Sequence, residues 1–147
     1  MSKATAGQLN TLLADSTVFY QKLRHYHWNV QGPQFFQLHE KFEEIYEKWA
    51  GLIDEIAERI IALDTVPLHT LKSMLEKATL KEDPKIPEGA QMVTKVIADL
   101  NALRASVNKI IDAADAEGDR STVNLLEDLG DAIEGDVWML KAWLKKA

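Results

Sequence analysis

Apolar residues recur at spacings of three, four and seven along most of the chain, the repeat of helices that each bury one face. Leu9, Leu12, Leu13, Phe19, Tyr20, Leu23 and His27 follow this repeat and predict a first helix from about Ala4 to Val30, stopped by Gly32-Pro33. Leu38, Phe42, Ile45, Trp49, Leu52, Ile53, Ile56 and Ile60 predict a second helix from about Phe35 to Leu63, with Pro67 just past its end. Gly51 lies inside this helix at some cost to helix propensity. Val93, Val96, Ile97, Leu100, Leu103, Val107 and Ile110 predict a third from Glu88 to Ala116. After a break at Gly118-Asp119, Leu125, Leu129, Ala132, Ile133, Val137, Leu140 and Leu144 predict a fourth from Ser121 to Lys145. No alternating strand pattern competes, and no internal repeat stands out.

The second and third helices are joined by a long connection, from Asp64 to about Pro87. Within it, Thr70 to Lys77 predicts a short helix with Thr70 as its N-cap, and Lys81 to Pro87 predicts a loop. Four long helices with one long connection predict an all-α four-helix bundle in which the connection between the second and third long helices crosses the bundle.

Composition narrows the function classes. A chain of 147 residues, 46% hydrophobic, suits one domain spanning 1–147. The absence of cysteine excludes disulfides, thiolate zinc sites and iron–sulfur clusters, and fits a cytoplasmic protein. No secretory signal is visible, and no apolar stretch approaches the roughly 20 residues of a membrane span. A net charge of −6 makes nucleic acid a poor partner, because phosphate neutralisation needs clustered Lys and Arg.

Candidate chemistry lies in His27, His39, Glu43, Asp54 and Glu58. Imidazoles and carboxylates form a nitrogen-and-oxygen ligand set suited to a divalent metal such as iron. His39/Glu43 and Asp54/Glu58 are each four residues apart, so each pair shares a helix face. At 100° per residue the four span only about 100° of azimuth, yet His39 and Asp54 are separated by roughly 22 Å along the axis. One subunit therefore offers two half-sites. Two second helices packed antiparallel about a two-fold axis would bring the His39/Glu43 end of one copy to the Asp54/Glu58 end of the other. His27 joins the first half-site if the turn after the first helix is tight. The intrasubunit di-iron pattern of Glu-x-x-His on two helices is absent, since no Glu stands three residues before any histidine. Taken singly, each acid is more simply a solvated helix face, and His27 a hydrogen-bonded core residue; the combination carries the expectation.

Three segments resemble the Dps-type mini-ferritins, the DNA-binding proteins from starved cells and their non-DNA-binding relatives. They are Phe19 to Gly32, with Arg24-His25-Tyr26-His27-Trp28-Asn29-Val30-Gln31-Gly32; Phe35 to Tyr46, with Leu38-His39-Glu40-Lys41-Phe42-Glu43; and Ile53 to Ile60, with Asp54-Glu55-Ile56-Ala57-Glu58-Arg59. Val137-Trp138-Met139-Leu140 is similar to part of the family's last helix, so the resemblance covers essentially the whole chain. It implies a ferritin-like bundle and a hollow dodecamer storing ferric mineral. It also implies a ferroxidase centre at the two-fold, with His27, His39 and Glu43 from one subunit and Asp54 and Glu58 from the other. Iron is the metal implied, cycling from Fe²⁺ to Fe³⁺, with hydrogen peroxide as the preferred oxidant. Glu43 stands where some members carry aspartate, and Leu63-Asp64-Thr65-Val66-Pro67 departs from a common Leu-Gly-Gly-x-Pro turn.

Further candidates follow. Trp28, beside His27, is a candidate near-site aromatic, with a core or interface role as the simpler alternative. Glu127, Asp131 and Glu134 recur on one face of the last helix and are candidate acids for a cation pore, with a solvated face as the simpler alternative. Glu44 and Glu47 are candidates for mineral nucleation, while His25 and His69 are left out of the site. Two contrasting functions remain: DNA binding through Lys3 or through Lys141, Lys145 and Lys146, which the net charge disfavours, and a non-catalytic helical interaction module.

Overall fold

A computed structural model describes residues 3–145 and contains five helices in that span: α1 (Lys3–Asn29), α2 (Phe35–Ala62), α3 (Leu71–Lys77), α4 (Gly89–Ala116) and α5 (Arg120–Leu144). Each boundary falls within a residue or so of the periodicity-based expectation. Lys146 and the Lys3 side chain, weighed above as basic contacts, lie outside the described residues.

The helices form two hairpins, α1–α2 and α4–α5, joined by further packing of α1 on α4 and a thinner α2–α5 seam. Because α4 packs on α1 and lies diagonal to α2, the 63–88 connection must cross the bundle. It also runs the bundle's length. Gly89, at the start of α4, sits against Leu38 and Val30 at the α1–α2 turn, whereas Thr5 near the start of α1 donates to Glu117 at the far end of α4. A Cβ at Gly89 would meet Leu38 Cδ1 at 2.8 Å, so a side chain there would require the Leu38 methyl to shift.

Leu9, Leu13, Phe19, Leu23, Leu38, Phe42, Trp49, Ile56, Val96, Leu100, Leu103, Leu129 and Ile133 are among the buried residues filling the space between the hairpins. Phe19 meets Trp49 edge to face at 5.2 Å, joining α1 to the middle of α2. On α5, Leu126 is fully buried whereas Leu125 is only half-buried, one position off the expected stripe. The α2–α5 seam is polar: Lys48 reaches the buried Asp136 at 3.0 Å, and Arg59 pairs with Asp119, the N-cap of α5, at 2.8 Å.

Polar anchors hold the crossover to α1. Asp15, almost completely buried, accepts from the amides of Thr79 (2.6 Å) and Leu80 (2.9 Å) and from the Thr79 hydroxyl (2.8 Å). Tyr26 donates its phenol to Asp83 at 2.7 Å, and His25 Nε2 donates to the Lys85 carbonyl at 2.8 Å. Thr70 caps α3 as expected, accepting from the Ser73 amide. At the departure from α2, Asp64 adopts φ +57°, a left-handed conformation in which a Cβ is strained. The Leu-Asp-Thr-Val-Pro turn thus keeps a glycine-type backbone without the glycine.

Asp15→Asn is expected to destabilise the fold by about 2–3 kcal/mol, because the charge-assisted bonds to the buried amides weaken and one acceptor becomes a donor. Chemical denaturation at fixed protein concentration measures it. Asp64→Gly is expected to stabilise by up to about 1 kcal/mol by relieving the positive φ, read in the same assay.

Candidate metal centre

α1 ends at the turn beginning with Val30, and α2 begins at Phe35, so the last turn of one helix lies beside the first turn of the other. Gly32, at φ +104°, reverses the chain there. This tight turn brings His27 and His39 face to face, their rings stacked at 3.8 Å and 14°. Phe35 stacks on the outer face of His39 at 4.9 Å.

The two histidines form a reciprocal clasp. His27 Nδ1 donates to the His39 carbonyl at 2.6 Å, and His39 Nδ1 donates to the His27 carbonyl at 2.7 Å. A carbonyl only accepts, so each Nδ1 carries the proton, and in each neutral ring Nε2 keeps its lone pair. The bond to the His27 carbonyl has a structural role as well: that carbonyl lies in the last turn of α1, where no helical amide follows to pair with it.

Glu43, one turn beyond His39, places Oε1 3.8 Å from His27 Nε2. That is too long for a hydrogen bond. Tyr46 completes this corner, its ring edge-on to His27 at 5.3 Å and to Tyr20 at 5.7 Å. Its phenol is pushed above the usual range, first by burial and then by the charges of Glu43 and Glu47, so it stays protonated in a locally negative field.

Asp54 and Glu58 stand further along α2 and are exposed to solvent. They do not reach the His27/His39/Glu43 corner. Among the described residues, no three His, Asp or Glu side chains converge to hold a metal. The chain thus presents a nitrogen-rich group at one end of α2 and a carboxylate pair at the other.

The remaining candidates are placed as follows. Trp28 is 56% exposed, and the Arg24 guanidinium covers its ring at 4.9 Å. It is not a core residue of the chain. Glu127 and Asp131 are exposed, whereas Glu134 forms an ion pair with Arg104 at 2.9 Å. Glu44 pairs with Lys41, and Glu47 is exposed. His25 anchors the crossover, and His69 Nδ1 contacts the Pro67 carbonyl. Tyr46 was not singled out from sequence, although its place three residues after Glu43 puts it on the same helix face.

His39→Phe keeps the ring stack but leaves the His27 carbonyl unpaired. It is expected to cost about 1–2 kcal/mol by chemical denaturation and to speed hydrogen exchange in the 29–34 turn.

Comparisons with known proteins agree with one another. The sequence matches the ferritin-like domain over residues 6–147. It is 41% identical over 137 residues to the DNA protection during starvation protein of Brevibacillus brevis, covering 93% of this chain and 92% of that one. It is 42% identical over 144 residues to general stress protein 20U of Bacillus subtilis (strain 168), covering 98% and 99%. The fold superposes on a Dps protein from Bacillus brevis with a TM-score of 0.95 at 39% identity, covering 99% and 100% of the two chains. It superposes equally, at 0.95 and 40% identity over 97% and 90%, on a Dps protein from Vibrio cholerae O1, described as a ferritin-like diiron-carboxylate protein. The chain belongs to the ferritin-like family and, within it, to the Dps-type mini-ferritins.

Proposed function

We propose that this mini-ferritin binds Fe²⁺ as a substrate at sites shared between two copies, oxidises it, and stores the ferric product inside a closed homo-oligomeric shell in the cytoplasm. The observation that supports this reading is the imidazole clasp: with each Nδ1 bonded to a carbonyl, the Nε2 atoms of His27 and His39 are left outside that bonding, near Glu43 at one end of α2, while Asp54 and Glu58 stand at the other.

His27, His39 and Glu43 from one copy, with Asp54 and Glu58 from the next, would give two neutral nitrogen donors and three carboxylates. The anionic oxygens stabilise Fe³⁺ more than Fe²⁺ and so favour oxidation. With peroxide as oxidant, two Fe²⁺ ions supply two electrons, H₂O₂ takes them with two protons, and two waters leave with two Fe³⁺. Pairing the electrons in this way releases no hydroxyl radical. Glu43 is one methylene longer than the aspartate of some relatives, which moves its carboxylate away from the α2 backbone. The dodecameric shell and the peroxide preference follow from the family resemblance. A −6 charge per chain favours attraction of Fe²⁺ over retention of duplex DNA.

Shared sites predict complementation between inactive chains. Glu58→Ala and His39→Ala are each expected to lose most Fe²⁺ oxidation by peroxide, followed by ferric absorbance. Chains of the two variants assembled together at equal ratio are expected to recover about a quarter of wild-type activity, because half the pairs are mixed and each mixed pair holds one intact site. No recovery, or full activity in either variant alone, argues against shared sites.

A further inference from the structure

The methionines of the chain differ in access to solvent. Met92 is fully buried and Met74 is half-buried against the core, whereas Met139 on α5 is 49% exposed. Met1 lies outside the described residues. With no cysteine in the chain, the methionine thioethers are its sulfur groups open to oxidation, and susceptibility follows exposure. Exposure alone makes Met139 an ordinary target. The group beside its sulfur makes it a particular one.

Lys41 donates from Nζ to Met139 Sδ at 3.5 Å across the α2–α5 seam. That ammonium is held in place: it also bonds Glu44 Oε1 at 3.1 Å and lies 3.8 Å from Asp136 Oδ1. Lys41 stands two residues from both His39 and Glu43, about 200° around α2 from each, so the pair lies on the α5 side of the helix, away from the candidate ligands. One side of the sulfur therefore faces a fixed cation. A thioether is only a weak acceptor, whereas oxidation makes it polar and chiral and gives it an oxygen that accepts strongly. The seam can absorb that change. Asp136 is buried, yet Lys48 bonds both of its oxygens, at 3.1 and 3.0 Å. Lys41 can turn to a new oxygen on Met139 without leaving the buried carboxylate unpaired.

We propose that Met139 is a modification site for hydrogen peroxide, oxidised to the sulfoxide on one face of its sulfur under the direction of Lys41. A sulfur lone pair attacks one peroxide oxygen, and the S–O bond forms as the O–O bond breaks. The departing oxygen takes a proton from the Lys41 ammonium and leaves as water. The proton on the new S–OH group then returns to Lys41. Thioether and H₂O₂ thus give sulfoxide and water, with sulfur losing the two electrons that peroxide gains. The ammonium stabilises charge developing on the departing oxygen and then bonds the oxygen that stays. Both effects act on one side of the sulfur, so one sulfoxide epimer is favoured. The step needs no metal. Because sulfoxide is reducible by repair enzymes, the site would be a renewable consumer of peroxide, separate from iron.

The test uses the full chain, freed of iron with a chelator, so its result stands apart from Fe²⁺ oxidation. The protein is treated with H₂O₂ and digested, and peptide mass spectrometry places each added oxygen. Met139 is expected to oxidise about tenfold faster than Met74 or Met92. The digest is then divided between the two classes of methionine sulfoxide reductase, each of which reduces one epimer. One class is expected to repair most of the Met139 sulfoxide from the wild type. Lys41→Arg keeps the charge and is expected to keep that bias, whereas Lys41→Gln is expected to give the two epimers in near-equal amounts. Oxidation of Met139 no faster than of Met74, equal repair by both classes in the wild type, or an undiminished bias in Lys41→Gln overturns the proposal.

Discussion

The rigidity of α2 is the constraint on which the candidate site depends. A helix advances about 1.5 Å per residue, so its ligand pairs cannot approach one another unless it breaks. Nothing in the bundle invites a break. Phe42, Ile45, Trp49, Ile56 and Ile60 bury one side of α2 along its length. The imidazole clasp ties its first turns to α1, and Arg59 ties its last turn to the N-cap of α5. The bundle thus holds His39/Glu43 and Asp54/Glu58 apart and aims them to the same side. On the proposed function, a chain built this way carries the two ends of a metal site, which a symmetric neighbour would join.

The clasp links folding to chemistry at one place. Each histidine satisfies a backbone carbonyl of the other helix, and the same bond sets the tautomer that leaves Nε2 available. The ring orientation needed for a ligand is therefore a by-product of closing the α1–α2 turn. Phe35 and Tyr46 hold the stack from two sides, so the imidazoles do not need a metal to be in position. Preorganisation of this kind lowers the ordering cost of binding.

The long helices were legible because their information is local: apolar spacing, Gly32-Pro33, Thr70 and Gly118-Asp119 all act within a few residues of where they stand. The relation between His39/Glu43 and Asp54/Glu58 was also legible, because phase along one helix is arithmetic. Less visible were features made by chain segments distant in sequence. Asp15 reads as a polar residue in a helix until Thr79 and Leu80 arrive over it. Tyr46 gains its place only when α1 brings His27 to it. Trp28 sits next to a histidine in sequence, yet one residue of helix turns it toward solvent and Arg24. The positive φ of Asp64 is a case where the residue type pointed away from the backbone state that the turn imposes.

In the proposed shared site, half of the ligands on each copy would make iron occupancy and association two descriptions of one equilibrium. A single chain would offer Fe²⁺ an incomplete and partly solvated set of these donors, and the separated copies would bind it weakly. The paired copies would bind it with both sets, and by linkage the ion would strengthen the pair by the same factor that the pair strengthens the ion. The acids of the α2 face fit this logic. Without a cation, Glu43 of one copy and Asp54 of the other would repel across the proposed axis and oppose pairing; with one, they would become its ligands.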